Sequence, residues 1–404
     1  MSKPAIAIFC MAETGHFKQI RPLIADLAAR GLDVHVFTDG LFGPDVESAG
    51  AKLVDIFAAH PLDLADSESM PFPCRYVSYA GTYAEEIIAK VKALAPALIL
   101  CETFSVIGRV AAQALGIPFV NVMTGHNVDP ASFLAMLKGD PRVAVSERCH
   151  RAVEILRERY ALPDASPFCY FTGLSPTLNI CCQPPGFLTK AERDIFAPIA
   201  FYGCIPAPAG VAHSSPREAR FPNVSPKPLR VYACFGTIVP RYYSDVALAA
   251  LGALSDCVAG MPEVCALISL GGSLNIGASG LARANVEVVD YADQWAALGA
   301  ADIFLTHHGM NSTHEAVIHR VAMLSYPFFW DQPGLARRCQ ELGIAAPLVA
   351  APRGTVSPAD IADRLQQMSQ DRQAIRPNLE RVHDWEREVI ANRPAVLQMI
   401  EGLM

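Results

Sequence analysis

The stretch DIFLTHHGMNSTHEA, residues 302–316, decides how the chain is read. Its opening residues have the apolar, β-branched character of a buried strand. Gly309 permits a sharp bend, and a helix-like run follows, so the segment reads as strand, tight turn, helix. Asn311, Ser312 and Thr313 are good capping types and are expected to open that helix. Unpaired N–H groups and the positive end of the helix dipole would make an anion site suited to a diphosphate. His307, at the strand end, is placed to donate to a phosphate oxygen. Glu315 lies one helical turn in from Asn311 and shares its face, where a carboxylate accepts from ribose hydroxyls. On spacing alone, an ordinary strand–helix turn that uses Asn311 and Ser312 only as caps fits as well.

Outward from this segment the same alternation recurs. Residues 5–10, 33–38, 97–101 and 119–123 read as strands. Ile20, Leu23, Ile24 and Leu27 fall on one helical face within 19–30, and a second helix is expected from about Ser105 to Leu115. Apolar strands alternating with helices imply a parallel sheet covered on both faces. The pattern breaks at the proline-rich stretch 206–228, which reads as an interdomain linker. It restarts at 229–233, 264–270, 286–290, 302–306 and 322–326, with helices expected near 358–368 and from about 375. Length agrees, since 404 residues exceed what one hydrophobic core organises. The expected architecture is α/β, with two Rossmann-like doubly wound domains facing across a cleft. The boundaries are 1–205, the linker 206–228, 229–385, and a C-terminal helix at 386–404 returning to the first domain.

Composition narrows the functions. A net charge of −7 argues against a broad nucleic-acid surface, which needs a basic face. Twelve cysteines occur without a CxxC pair, so structural zinc is not expected. They read as reduced, buried thiols of a cytoplasmic protein. No apolar run has the length of a spanning helix or the form of a signal peptide.

With these residues in view, the chain resembles the inverting UDP-glycosyltransferase family, whose members have the GT-B fold, and in particular its bacterial natural-product branch. The family pattern H-x-G-x-N-S/T-x-x-E is matched by His307, Gly309, Asn311, Ser312 and Glu315, with Met310 between them. The resemblance implies that these residues bind the donor diphosphate and ribose. Residues 326–333, YPFFWDQP, resemble the P-x-x-x-D-Q element, which implies that Asp331 and Gln332 hold the donor sugar. Residues 290–294, DYADQ, resemble the segment that seats the nucleobase, with Gln294 the matching residue and Asp293 where the family has proline. Gly236 and Thr237 resemble the turn that approaches the phosphates. The likeness spans nearly the whole chain and is strongest over 302–333.

The family also places a general-base histidine after the first strand. Here that is His16, expected in a loop before the first helix. Loop position alone reads as a surface histidine; the resemblance makes it the base. Many relatives orient this histidine with an aspartate at a later strand end. This chain offers Glu102, one methylene longer, so either the backbone compensates or Glu102 is not the partner. His383, His319 and His213 read as solvated. The resemblance implies hexose transfer from a nucleotide diphosphate sugar, UDP-glucose first and a dTDP-sugar second, to a hydroxyl of a small apolar or aromatic acceptor. No DxD triplet occurs, and neither metal nor cofactor is expected. Phe72, Tyr76, Tyr79, Phe133, Phe168, Tyr170 and Phe171 are the candidate acceptor-side aromatics. A sugar-nucleotide 2-epimerase and a non-catalytic auxiliary homologue are the alternatives. Oligomeric state is not legible.

Overall fold

The computed structural model describes residues 4–63, 73–126, 135, 145–168, 173–206, 221–224, 226–272 and 280–404. Most of the 206–228 stretch, together with Phe72, Phe133, Tyr170, Phe171 and His213, lies outside them. The chain divides into two compact units, residues 1–207 with 388–404, and residues 208–387.

The first unit carries seven parallel strands: β1 (Ala5–Phe9), β2 (Asp33–Thr38), β3 (Lys52–Asp55), β4 (Leu98–Glu102), β5 (Phe119–Met123), β6 (Leu178–Cys181) and β7 (Ile199–Phe201). Their order is β3-β2-β1-β4-β5-β6-β7. Helices α1 (Thr14–Ala29), α2 (Gly43–Ser48), α3 (Pro73–Leu94), α4 (Val106–Leu115), α5 (Glu147–Tyr160) and α6 (Lys190–Ile195) connect them. The strands are apolar on both faces because helices cover both; every residue of β4 is buried. Phe9 stacks on Phe37 at 4.5 Å. A Cβ on Gly108 would lie 2.6 Å from the Phe9 ring, so α4 sits on β1 only because that position is glycine.

The second unit holds six strands: β8 (Leu229–Cys234), β9 (Val264–Ser269), β10 (Val286–Val289), β11 (Ile303–Thr306), β12 (Ala322–Ser325) and β13 (Ala345–Pro347). Their order is β10-β9-β8-β11-β12-β13, again all parallel. Its helices are α7 (Val239–Tyr242), α8 (Ser244–Ala259), α9 (Gln294–Ala300), α10 (Met310–Ile318), α11 (Gln332–Glu341) and α12 (Pro358–Glu401). Tyr232 and Phe304 stack at 5.0 Å across β8 and β11. In each sheet the strand order reverses once, between β1 and β4 and between β8 and β11. Ligands of doubly wound sheets bind beyond the strand ends at such reversals.

Two expectations about helices are corrected. The segments near 358–368 and from 375 are one helix, α12, of 44 residues with Pro377 and Pro394 inside it. A proline removes one intrahelical bond, and here tertiary bonds tie the helix down around both prolines. Asn378 and Arg381 donate to the carbonyls of Gly343 and Leu342 at 3.3 and 3.0 Å. Arg393 donates to the Tyr202 carbonyl at 3.0 Å. The first helix begins at Thr14 rather than near residue 19. Glu13 is extended, and its carbonyl accepts from the N–H groups of His16 and Phe17 at 3.1 and 3.0 Å. Buried Phe17 anchors that first turn by stacking on Phe42 at 4.5 Å.

Candidate functional site

In the first unit, the early start of α1 moves His16 out of the expected loop and into a helical turn. That turn follows β1, while Glu102 ends the neighbouring β4. The register pairs Phe9 with Cys101, which brings the two segments side by side at the reversal point. His16 Nδ1 lies 2.9 Å from Glu102 Oε1 and 2.9 Å from Thr124 Oγ1. The Thr124 hydroxyl donates to the same carboxylate oxygen at 2.5 Å. Glu102 is buried, whereas the His16 side chain keeps 17% of its exposure, so the ring is the part of the group that solvent reaches. Phe104 meets the His16 ring edge-on at 4.8 Å. The Tyr76 hydroxyl accepts from the Ala12 N–H at 2.8 Å and fixes the loop before α1.

Burial pushes the Cys10, Cys182 and Tyr76 protons well above their ordinary range, and nearby charges, Glu102 included, add to this. The Cys101 thiol is raised for the same first reason. His16 and Glu102 form the hydrogen-bonded pair of this site. A histidine whose Nδ1–H is given to a carboxylate presents Nε2 as the base. Tyr76, Tyr79 and Phe168, read as acceptor-side aromatics, are all buried.

In the second unit the His307 ring packs against two glycines. A Cβ on Gly236 would lie 2.9 Å from the ring, and one on Gly309 only 2.5 Å from Nε2. Gly236 also has φ +70, a left-handed conformation that glycine adopts without penalty. Thr237 follows it, half-buried. Burial drives the His307 pKa down to about 4, with the Cys234 carbonyl pulling weakly the other way. The ring is neutral at physiological pH and keeps one N–H to donate. His308 is fully buried with φ +61, and burial, followed by the neighbouring His307, lowers its pKa to about 3. Its Nε2 pairs with Ser325 Oγ at 2.8 Å.

The expectation that Asn311, Ser312 and Thr313 cap the next helix is corrected. Gly309 is the N-cap of α10 and contributes no side-chain bond. Its extended backbone lets its carbonyl accept from Thr313 N–H at 3.0 Å, which places Met310, Asn311 and Ser312 in the first turn. N–H groups of a first turn have no intrahelical acceptor, so the anion site expected here would be made of backbone, with buried Met310 holding the turn down. Ser312 and Glu315 face Gln294, whose Nε2 donates to Ser312 Oγ at 3.1 Å and to Glu315 Oε2 at 2.7 Å. Asp293, where the family has proline, caps α9 by accepting from Ala296 N–H at 3.2 Å. The residues expected at nucleobase and ribose are thus one hydrogen-bonded group.

Asp331 and Gln332 open α11. The Gln332 amide oxygen accepts from the Phe328 and Phe329 N–H groups at 3.0 and 3.3 Å. That oxygen braces the turn, so the expected role toward a sugar falls to the Gln332 NH2 group and to Asp331. Arg353 holds the same turn from outside. Its guanidinium donates to the Phe328 carbonyl and lies 4.9 Å over the Tyr243 ring. Arg353 and Thr124 were missed in the sequence, because each acts through partners distant in the chain. Thr124 carried a signal, since it follows β5, the strand beside β4. His383 is buried and His319 half-buried, not solvated as expected.

Among the described residues, no group of three or more His, Cys, Asp or Glu side chains could hold a metal ion. No described helix is long and apolar enough to cross a membrane. Every described cysteine is a free, buried thiol.

The profile of the family described as UDP-glucoronosyl and UDP-glucosyl transferase matches residues 277–384. NDP-glycosyltransferase YjiC of Bacillus subtilis is 22% identical over 96% of this chain and 94% of its own. The solved structure of the glycotransferase of kitacinnamycin covers all of both chains with a TM-score of 0.77 at 22% identity. The chain has the GT-B fold. Zeaxanthin glucosyltransferase of Pantoea ananas is 29% identical over 59% of this chain, and the match spans 57% of that relative's length. CalG4, the calicheamicin glycosyltransferase, superposes with a TM-score of 0.72 at 19% identity, covering 100% of this chain and 98% of its own. The profile match takes in Gln294, the α10 residues, Asp331 and Gln332. Gly236, Thr237, His16 and Glu102 lie outside it.

Proposed function

We propose that this GT-B protein is an inverting, metal-independent glycosyltransferase that moves a hexose from a nucleotide diphosphate sugar to a hydroxyl of a small apolar or aromatic acceptor. The observation that carries the reading is the His16–Glu102 hydrogen bond at the reversal point of the first sheet, with the ring reachable by solvent and the carboxylate buried. His16 Nε2 takes the proton of the acceptor hydroxyl, and the oxygen attacks the anomeric carbon as the nucleoside diphosphate leaves from the opposite face. Glu102 stabilises the imidazolium that forms. The first-turn N–H groups of α10, neutral His307 and Thr237 meet the charge growing on the leaving phosphate. Fixed dipoles of this kind do the work a divalent cation does elsewhere, in keeping with a sequence that lacks a DxD triplet.

UDP-glucose is the first donor and a dTDP-sugar the second. Gln294 with Glu315 takes the nucleoside, and Asp331 with the Gln332 NH2 group takes the sugar. The names of the zeaxanthin glucosyltransferase and of the oleandomycin glycosyltransferase of Streptomyces antibioticus support an apolar small-molecule acceptor. The test is a mass-spectrometric screen of sugar nucleotides against an aglycone panel in EDTA. Acceptors heavier by one hexose are expected. Donor isomerisation without an acceptor would establish a 2-epimerase instead, and donor binding without turnover across the panel would establish an auxiliary homologue.

A further inference from the structure

Glu102 stands where many relatives carry aspartate, and its extra methylene adds a torsion that must be fixed if the carboxylate is to aim at His16. The fixing contact comes from β5. Its register sets Val122 beside Glu102 and so carries Thr124 alongside the carboxylate. Thr124 is itself buried, and a β-branched side chain has little rotamer freedom. Its hydroxyl donates to Glu102 Oε1 at 2.5 Å and lies 2.9 Å from His16 Nδ1, which is also 2.9 Å from that Oε1. One arrangement of protons satisfies all three distances. Thr124 O–H donates to the carboxylate, and the Nδ1–H of His16 is shared between the Thr124 oxygen and Oε1. Glu102 Oε2 is buried and has no hydrogen-bond partner among the described residues. The carboxylate is therefore held through one oxygen, by one neutral donor and one imidazole.

We propose that Thr124 is a positioning residue, which fixes the Glu102 carboxylate and through it holds His16 as the Nδ1–H tautomer with Nε2 facing the acceptor. The proposal rests on the reading of His16 as the base. The groups facing the pair from each surrounding segment are Cys10 after β1, Cys101 on β4, Cys182 after β6 and Tyr76 on α3. Burial keeps all four protonated well above neutral pH, with Glu13 adding to the rise of Tyr76 and Arg109 opposing that of Cys101. Removing the Thr124 hydroxyl leaves the carboxylate's charge to the imidazole alone, which favours the imidazolium.

The experiment is NMR of the imidazole carbons and nitrogens of the full chain, titrated from acid to alkaline pH, with His16 assigned by its loss in His16→Asn. The wild type and Thr124→Ser are expected to share one titration midpoint and a predominant Nδ1–H tautomer. Thr124→Val, and Thr124→Ala as a second variant without added bulk, are expected to raise that midpoint by on the order of one pH unit, a tenfold change in proton affinity. The acid limb of kcat/KM moves with it. Turnover falls by roughly tenfold or more while donor KM stays within about twofold, and serine restores both. An unmoved midpoint and tautomer in the valine and alanine variants overturn the proposal, whatever their turnover. The titration needs no transfer reaction. If His16→Ala retains full activity while the Thr124 variants still shift the His16 titration, the base assignment fails and the placement by Thr124 stands.

Discussion

Replacing Gly309 by alanine gives opposite results in two backgrounds, and the sign reports how tightly the phosphate-side turn is built. Gly309 has φ −63 and ψ 145, a conformation any residue adopts. Alanine there restricts the unfolded chain, and at compatible sites this stabilises by about 0.4–1 kcal/mol. Against that, the new Cβ would lie 2.5 Å from His307 Nε2 and 3.0 Å from Cε1. The ring has little room to swing, because His307 is buried and a Cβ built on Gly236 would also lie 2.9 Å from it. Overpacking of this kind costs about 1–3 kcal/mol. In the wild type the clash wins, and Gly309→Ala is expected to destabilise the second unit by roughly 1–2 kcal/mol and to weaken nucleoside diphosphate binding. In a His307→Ala background the clash is gone, and the same substitution is expected to stabilise by about 0.5 kcal/mol. Urea unfolding of the four proteins of the cycle reads the difference as a coupling energy. Equal effects in the two backgrounds would refute the packing argument.

Two further outcomes follow from the same unit. His307 and His308 have pKa values near 4 and 3 in the folded chain, below the ordinary value near 6.5 that applies when unfolded. Between these limits the unfolded chain binds more protons, so stability is complete above about pH 6.5 and declines on acidification, by roughly 2 kcal/mol per ring at pH 5. The urea midpoint should fall from pH 7 to pH 5, and less steeply in His308→Asn, since asparagine tolerates the left-handed backbone; equal slopes would contradict it. Arg353→Ala removes the guanidinium from the Phe328 carbonyl and from the Tyr243 ring. Calorimetry should show affinity for the sugar nucleotide falling by about tenfold, the scale of one charged hydrogen bond, with affinity for the bare nucleoside diphosphate nearly unchanged. An equal loss for both ligands would place Arg353 in general stability instead.

The central strands were legible because burial on both faces forces continuous apolar runs, as in residues 98–102 and 303–306. Strands β3, β6, β7 and β13 were missed. Each is short, and β13 ends in a proline that only an edge strand accepts. The donor-side residues were readable as a contiguous pattern around Gly309. Their division of labour was not, because Gln294 meets Glu315 only after α9 and α10 pack together. Likewise the resemblance pairs His16 with Glu102 but leaves open whether the longer side chain reaches. What joins them is the β1–β4 register and the hydroxyl of Thr124 just after β5, which become neighbours only when the strands pair. The turn that carries His16 was taken for a loop, since its helix is started by the buried Phe17 anchor rather than by a side-chain cap.

The account turns on His16 acting as the base in sugar transfer, and one comparison tests it most directly. Wild type and His16→Ala are given the same donor and an acceptor found by the screen, in EDTA, while donor affinity is measured by calorimetry. The account predicts that the wild type releases nucleoside diphosphate and glycosylated acceptor in equal amounts. In the variant turnover falls by roughly 10²–10⁴-fold, the usual worth of a general base, with donor affinity held within about twofold. Undiminished transfer by His16→Ala, or a wild type whose turnover is abolished by EDTA and restored by magnesium, would contradict it.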